Sequence, residues 1–187
     1  MEGNIRKETY RTKHMEGSIQ KETYGKIHME GEKVIMEGKG HVPIIRLEAV
    51  KVGEIGYGGG RLEDSDKVAA LLQSKFGNPD REYAITVAVD SKLSPLSIEV
   101  VGIGSVNLCI VEPREIFKNL ILSNASAFFL AHTHPTGDVT PSKEDIAITE
   151  HLEKASETMG IPMLDHIIFS AGQYYSLREH GDLSGDL

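Results

Sequence analysis

Ser126-Ala127-Phe128-Phe129-Leu130-Ala131-His132-Thr133-His134-Pro135-Thr136-Gly137-Asp138-Val139-Thr140-Pro141-Ser142-Lys143-Glu144-Asp145 reads as a buried strand, a turn-rich loop and the first turn of a helix. The apolar run from Ser126 to Ala131 has strand length and delivers two histidines at its end. Residues two apart in an extended segment point the same way, so His132 and His134 can face one metal ion. Asp145 follows inside the next helix, which would have to fold back over the strand end to supply a third ligand. Two imidazoles and a carboxylate suit Zn²⁺, with Fe²⁺ or Mn²⁺ as alternatives, and three protein ligands leave a fourth position for water. Zinc lowers the pKa of that water to about 7. Such a site also wants a general base that is not a ligand. Asp138, Glu144 and Glu82 are candidates, and spacing does not choose among them. Ser142 can donate to the oxyanion of a tetrahedral intermediate.

Each feature has a plainer reading. A lone His-x-His is a weak signal. Ser142-Lys143-Glu144-Asp145 is also a capping box and needs no metal to explain it. Glu82 can be a solvated strand end, Gly137-Asp138 a turn pair, and His166 either a satisfied histidine beside the sheet or a partner of a metal ligand.

Upstream, Ser65 is expected to cap a helix to Phe76, with Val68, Leu71, Leu72 and Phe76 on one face and Gly77 as its stop. Glu82 to Val89 is β-rich and apolar, an interior strand, and Leu96 to Val101 alternates as its hairpin partner. Val106 to Val111 reads as another short strand. Pro113 opens a helix to Leu122 with Ile116, Leu120 and Ile121 inward. Downstream, a helix from Ser142 to near Gly160 places Ile148, Leu152, Ala155 and Met159 at helical spacing. Strands at Ile161–Phe169 and Gln173–Leu177 follow, then a loose polar tail over the last ten residues. His41 to Val52 alternates in part and suits an edge or half-buried strand, with Pro43 near its start. Gly56-Tyr57-Gly58-Gly59-Gly60 lacks the context of a phosphate loop. The expected class is α/β, a mixed sheet with helices on its faces.

Composition narrows the function. Forty per cent of the 187 residues are apolar, ordinary for a soluble domain, and no run approaches the ~20 residues of a membrane span. Residues 1–41 lack a continuous apolar region, so no secretory signal and a cytoplasmic location are expected. Cys109 is the only cysteine and reads as a small core residue. Residues 1–41 repeat: Met1 to His14 matches Met15 to His28 at nine of 14 positions, and a third copy decays from Met29. Each copy has only Met, Ile and Tyr to bury, so a disordered or weakly structured extension is expected, with the folded domain at 42–187. One reading of the repeats is a tandem duplication with the working start at Met29 or Met36. The extension carries eight Lys/Arg and seven Asp/Glu, leaving 12 against 21, net −9, for residues 42–187. Direct nucleic-acid binding is therefore disfavoured. Oligomeric state is not legible.

His132-Thr133-His134-Pro135, Gly137-Asp138, Pro141-Ser142 and Asp145 match the JAMM (MPN+) metallopeptidase motif His-x-His-x(7)-Ser-x-x-Asp at every spacing. Asp80-Arg81-Glu82-Tyr83, Pro113-Arg114-Glu115-Ile116-Phe117, Asn124-Ala125, Leu164-Asp165-His166-Ile167-Ile168 and Tyr175-Ser176-Leu177 make residues 42–180 resemble the RadC family more closely. The resemblance implies a cytidine-deaminase-like three-layer sandwich of the JAMM type. It implies zinc on His132, His134 and Asp145, Glu82 as general base, Ser142 as oxyanion stabiliser, and hydrolysis of a peptide or isopeptide bond in a peptide or protein substrate. The family name implies DNA repair or recombination as an alternative role, and a non-catalytic JAMM scaffold is a third. The helix-hairpin-helix region of long RadC proteins is not present in this sequence, which weakens direct DNA contact. Thr133 stands where RadC proteins usually have Asn, and Glu112 where many have His; both are expected to alter substrate contacts near the site.

Overall fold

The structure is a computed structural model that describes residues 27–30, 33–36, 43–104 and 112–183. The expected strand at Val106–Val111, with Cys109, lies outside the described residues. The chain divides into two units, Met1–Arg46 and Leu47–Leu187. In the first, β1 (Ile27–Glu30) pairs antiparallel with β2 (Lys33–Met36), Ile27 opposite Met36.

The second unit runs α1 (Ser65–Phe76), β3 (Tyr83–Val89), β4 (Pro95–Ile103), α2 (Pro113–Leu122), β5 (Ala127–Thr133), α3 (Lys143–Met159), β6 (Met163–Ser170), β7 (Gln173–Ser176) and α4 (Leu177–His180). Five strands form one sheet in the order β4-β3-β5-β6-β7. Every pairing is antiparallel except β5 with β6. A parallel pair needs a crossover, and α3 supplies it. Side chains alternate across the sheet. Ile85, Val87, Val89, Phe129, Ala131, Ile167 and Phe169 pack with Val68, Leu71 and Leu72 of α1. Ala84, Ala88, Phe128 and Leu130 pack with Ile116, Phe117 and Leu120 of α2 and Leu152 of α3. The result is a three-layer sandwich, a mixed sheet between helices, of the kind the JAMM resemblance implies. Among the described residues no helix is long and apolar enough to cross a membrane.

The structure corrects five details. Pro43 to Glu63 carries no strand, and Ile44, Ile45, Leu47, Val50 and Val52 are exposed. A strand needs a neighbour as well as a pattern, and β4 and β7 close the sheet without pairing to this segment. The N-cap of α1 is Asp64; Ser65 is buried, and its hydroxyl lies 2.9 Å from Asp165 Oδ2 and 3.2 Å from Ser176 Oγ. On α2, Phe117 is buried where Ile121 was expected to be, and Ile121 is 52 % exposed. On α3 the buried stripe is Thr149, Leu152 and Ser156, while Met159 is 42 % exposed. The start of the expected loose tail is ordered: residues 178–180 belong to α4, which hangs on the buried Asp165 carboxylate. Arg178 N–H donates to Asp165 Oδ1 (3.0 Å) and Ser176 Oγ–H to Oδ2 (2.6 Å). Gly77 ends α1 in a right-handed conformation, and glycine is needed there because a Cβ would stand 2.6 Å from Gln73 O.

Leu72 is fully buried between α1 and the sheet. Leu72→Ala is expected to cost about 2–5 kcal/mol, read as a lower midpoint in equilibrium urea unfolding.

Candidate metal centre

Strand β5 is buried along its whole length, and its alternation sets the site. Phe128, Leu130 and His132 face α2 and α3, while Phe129, Ala131 and Thr133 face the other way. His134 is the first residue past the strand and is held there by its N–H, which donates to Phe169 O of β6 (3.0 Å). Across the loop, the capping box at the start of α3 is complete. Ser142 Oγ accepts from Asp145 N–H (3.1 Å), and Asp145 Oδ2 accepts from Ser142 N–H (2.7 Å). The same box that starts the helix therefore aims the Asp145 carboxylate at the strand end. Oδ1 lies 3.1 Å from His132 Nε2 and Oδ2 lies 3.7 Å from His134 Nε2. The two Nε2 atoms are 2.9 Å apart.

Hydrogen-bond polarity shows what these atoms can hold. His134 Nδ1 lies 2.6 Å from the Asp138 carbonyl, which can only accept, so the proton is on Nδ1. Thr149 Oγ–H donates to the Asp145 carbonyl (2.6 Å), so the Thr149 oxygen accepts from His166 Nδ1–H (2.6 Å). His166 is fully buried, and burial holds its imidazole neutral, well below the usual histidine range. Its Nε2 is then an acceptor and accepts from His132 Nδ1–H (2.8 Å). Both ligand histidines are left with bare Nε2 lone pairs, facing each other and a carboxylate. Such an arrangement can hold a cation at its centre. His132, His134 and Asp145 each offer a ligand atom, all within 4.8 Å of one another, and the group fits a metal ion.

The hydrogen bond with Asp145 raises the His134 pKa against the effect of burial. Burial pushes the Asp145 carboxyl up, but hydrogen bonds from His132, His134 and Ser142 outweigh it and hold the group well below the carboxylate range.

Glu82 precedes β3, and its carbonyl accepts from Gly104 N–H (2.9 Å). Its carboxyl is partly buried, which raises its pKa, and it feels the charges of His132, His134 and Asp145. Thr133 places the Glu82 segment. Its hydroxyl accepts from Tyr83 N–H (3.0 Å) and donates to Arg81 O (3.2 Å), bracketing Glu82 on both sides. Thr133 is fully buried, so the expected substrate contact is corrected: this side chain faces away from the histidines. Glu112 is exposed at the N-cap of α2. Of the other base candidates, Asp138 Oδ1 accepts from Thr140 N–H in its own turn (2.9 Å), and Glu144 is exposed on the first turn of α3. Ser142 Oγ–H donates to Asp145 Oδ2 (2.6 Å). Thr149 escaped the sequence reading; the signal was its place one helical turn after Asp145, on the same face.

A family model described as a RadC-like JAB domain matches residues 62–182. Relatives named UPF0758 protein include one from Methanococcoides burtonii, 38 % identical over 124 residues, covering 66 % of this chain and 54 % of the relative. One from Methanosarcina acetivorans is 43 % identical over 114 residues (61 % and 50 %), and one from Moorella thermoacetica 45 % over 112 residues (60 % and 49 %). The chain spans about half the length of the curated relatives it matches.

Thr133→Val leaves Tyr83 N–H and Arg81 O without their partner and is expected to cost about 1–3 kcal/mol in urea unfolding, whereas Thr133→Ser costs less. The metal-free protein should also show a pH window. The lowered Asp145 pKa gives stability present above the ordinary value of 3.8 and lost as pH falls through its folded value. The raised His134 pKa gives stability present below 6.5 and lost as pH rises through its folded value. Thermal midpoints of metal-free protein should therefore be highest between these limits and fall on the alkaline side, a fall that Asp145→Asn should diminish.

Proposed function

This chain belongs to the RadC-like JAB family, and on that premise we propose that it is a zinc-dependent metallohydrolase that cleaves a peptide or isopeptide bond. The observation that carries the reading is the convergence of two proton-free imidazole nitrogens and the Asp145 carboxylate, with a separate carboxyl, Glu82, in electrostatic reach. His132, His134 and Asp145 would hold the metal. When bound, zinc in a three-ligand site supplies a Lewis acid that makes water ionisable near neutral pH. Glu82 is the proton carrier. Burial raises its pKa towards the working range of a base that takes a proton from water and returns it to the leaving nitrogen. Ser142 holds Asp145 in the capping box, and its hydroxyl must turn from Oδ2 to donate to a developing oxyanion. The substrate is a peptide or protein, and the site of action is the cytoplasm. A purely structural JAMM scaffold has no use for a desolvated carboxyl beside the ligands. A DNA-associated role is less favoured, because residues 42–187 carry net −9.

Metal analysis of purified protein should give near one zinc per chain, lost in Asp145→Ala. In a peptide-library and isopeptide cleavage assay, Glu82→Ala should keep the zinc and lose about 10²–10⁴-fold in rate. A folded wild type that takes up no zinc would sink the proposal.

A further inference from the structure

His166 and Thr149 have no place in the hydrolytic step, yet both are buried and hydrogen-bonded directly behind a ligand. The contacts close into a ring. Asp145 Oδ1 meets His132 Nε2 (3.1 Å), His132 Nδ1 meets His166 Nε2 (2.8 Å), His166 Nδ1 meets Thr149 Oγ1 (2.6 Å), and Thr149 Oγ1 returns to the Asp145 carbonyl (2.6 Å). One residue thus supplies both the carboxylate at one end and the terminal acceptor at the other. We propose that His166 and Thr149 are positioning residues that fix His132 in its metal-binding tautomer and tie the first turn of α3 to β5 through β6.

Three physical points support this. First, only the far end of the ring is unambiguous, and it orients the rest: a backbone carbonyl cannot donate, so each proton along the chain points towards Asp145 O. Second, the sheet places the two rings side by side. His166 sits opposite Leu130 on the parallel neighbour, on the same face as His132, and the ring centroids are 4.9 Å apart. Third, the alternative arrangement is poor. Turning the Thr149 hydroxyl towards His166 would set two oxygen lone pairs against each other at 2.6 Å in a dry interior. A free histidine has two tautomers to choose from; here the choice is made before the metal arrives.

The inference rests on the metal reading, and the test separates the two. Zinc affinity of the full chain is measured by competition with a chromophoric chelator, for wild type, His166→Phe, Thr149→Val and Thr149→Ser. Far-UV circular dichroism and urea unfolding of the metal-free proteins check folding. Loss of an orienting partner is expected to weaken zinc binding about 10–100-fold in His166→Phe and Thr149→Val, with affinity kept in Thr149→Ser, which retains the hydroxyl. Nitrogen-15 NMR of the zinc-loaded wild type should show the His132 proton on Nδ1. Wild type that binds zinc while His166→Phe and Thr149→Val bind it within about threefold overturns this inference alone. A His132 proton found on Nε2 does the same. Wild type that binds no zinc overturns both readings.

Discussion

Asp145 Oδ1 stands 3.1 Å from His132 Nε2, and for that contact to exist the first turn of α3 must lie over the end of β5. The capping box makes this placement local: Ser142 fixes the carboxylate within its own helical turn, so the position of the helix start is also the position of the third ligand. Much of the domain serves the same contact. The α3 crossover lets β6 lie parallel to β5, and Leu152 anchors the helix in the core shared with Phe128 and Leu130. The N–H of His134 is taken by Phe169 of β6.

The two faces of β5 have separate duties. His132 and His134 point into the site, and the residue between them points away and holds the neighbouring chain. Thr133 reaches across to the peptide groups around Glu82, where regular β3–β5 pairing has ended at Ala84 and His132. A hydroxyl takes over from the backbone ladder and keeps a carboxyl in range of the ligands without making it a ligand. Asp165 plays a comparable role on the same side of the sheet, gathering α1, β7 and α4 around one buried carboxylate.

The elements were legible wherever period, cap and punctuation agreed. Pro113 at the head of α2, and Ser142 with Gly160 at the two ends of α3, all stand where their local chemistry requires. The convergence of His132, His134 and Asp145 was legible because strand alternation and the capping box are local rules. What stayed hidden depends on neighbours. The segment around Ile45 has a strand-like pattern but no strand partner among the described residues, and Ile121 is apolar yet lies off the stripe of α2 that meets the sheet. Thr149 and Ser156 look like surface polar residues and are buried. Spacing does not single out Glu82, which lies fifty residues upstream of the histidines, just before the strand that pairs with β5; only the family likeness names it as a base.

The ring through His166 has a consequence for how such proteins diverge. On the proposed reading, the residues that would hold or orient the ion lie between His132 and His166, within one strand-helix-strand unit, whereas Glu82 comes from a separate hairpin. Ion retention and turnover would then be encoded in different modules. A duplicated copy would lose the carboxyl upstream by a single substitution and keep the ion-holding cluster, free to be recruited as a sensor or a docking subunit. The reverse path would be narrower, since a broken ring would weaken the hold on the ion that the upstream carboxyl is proposed to serve.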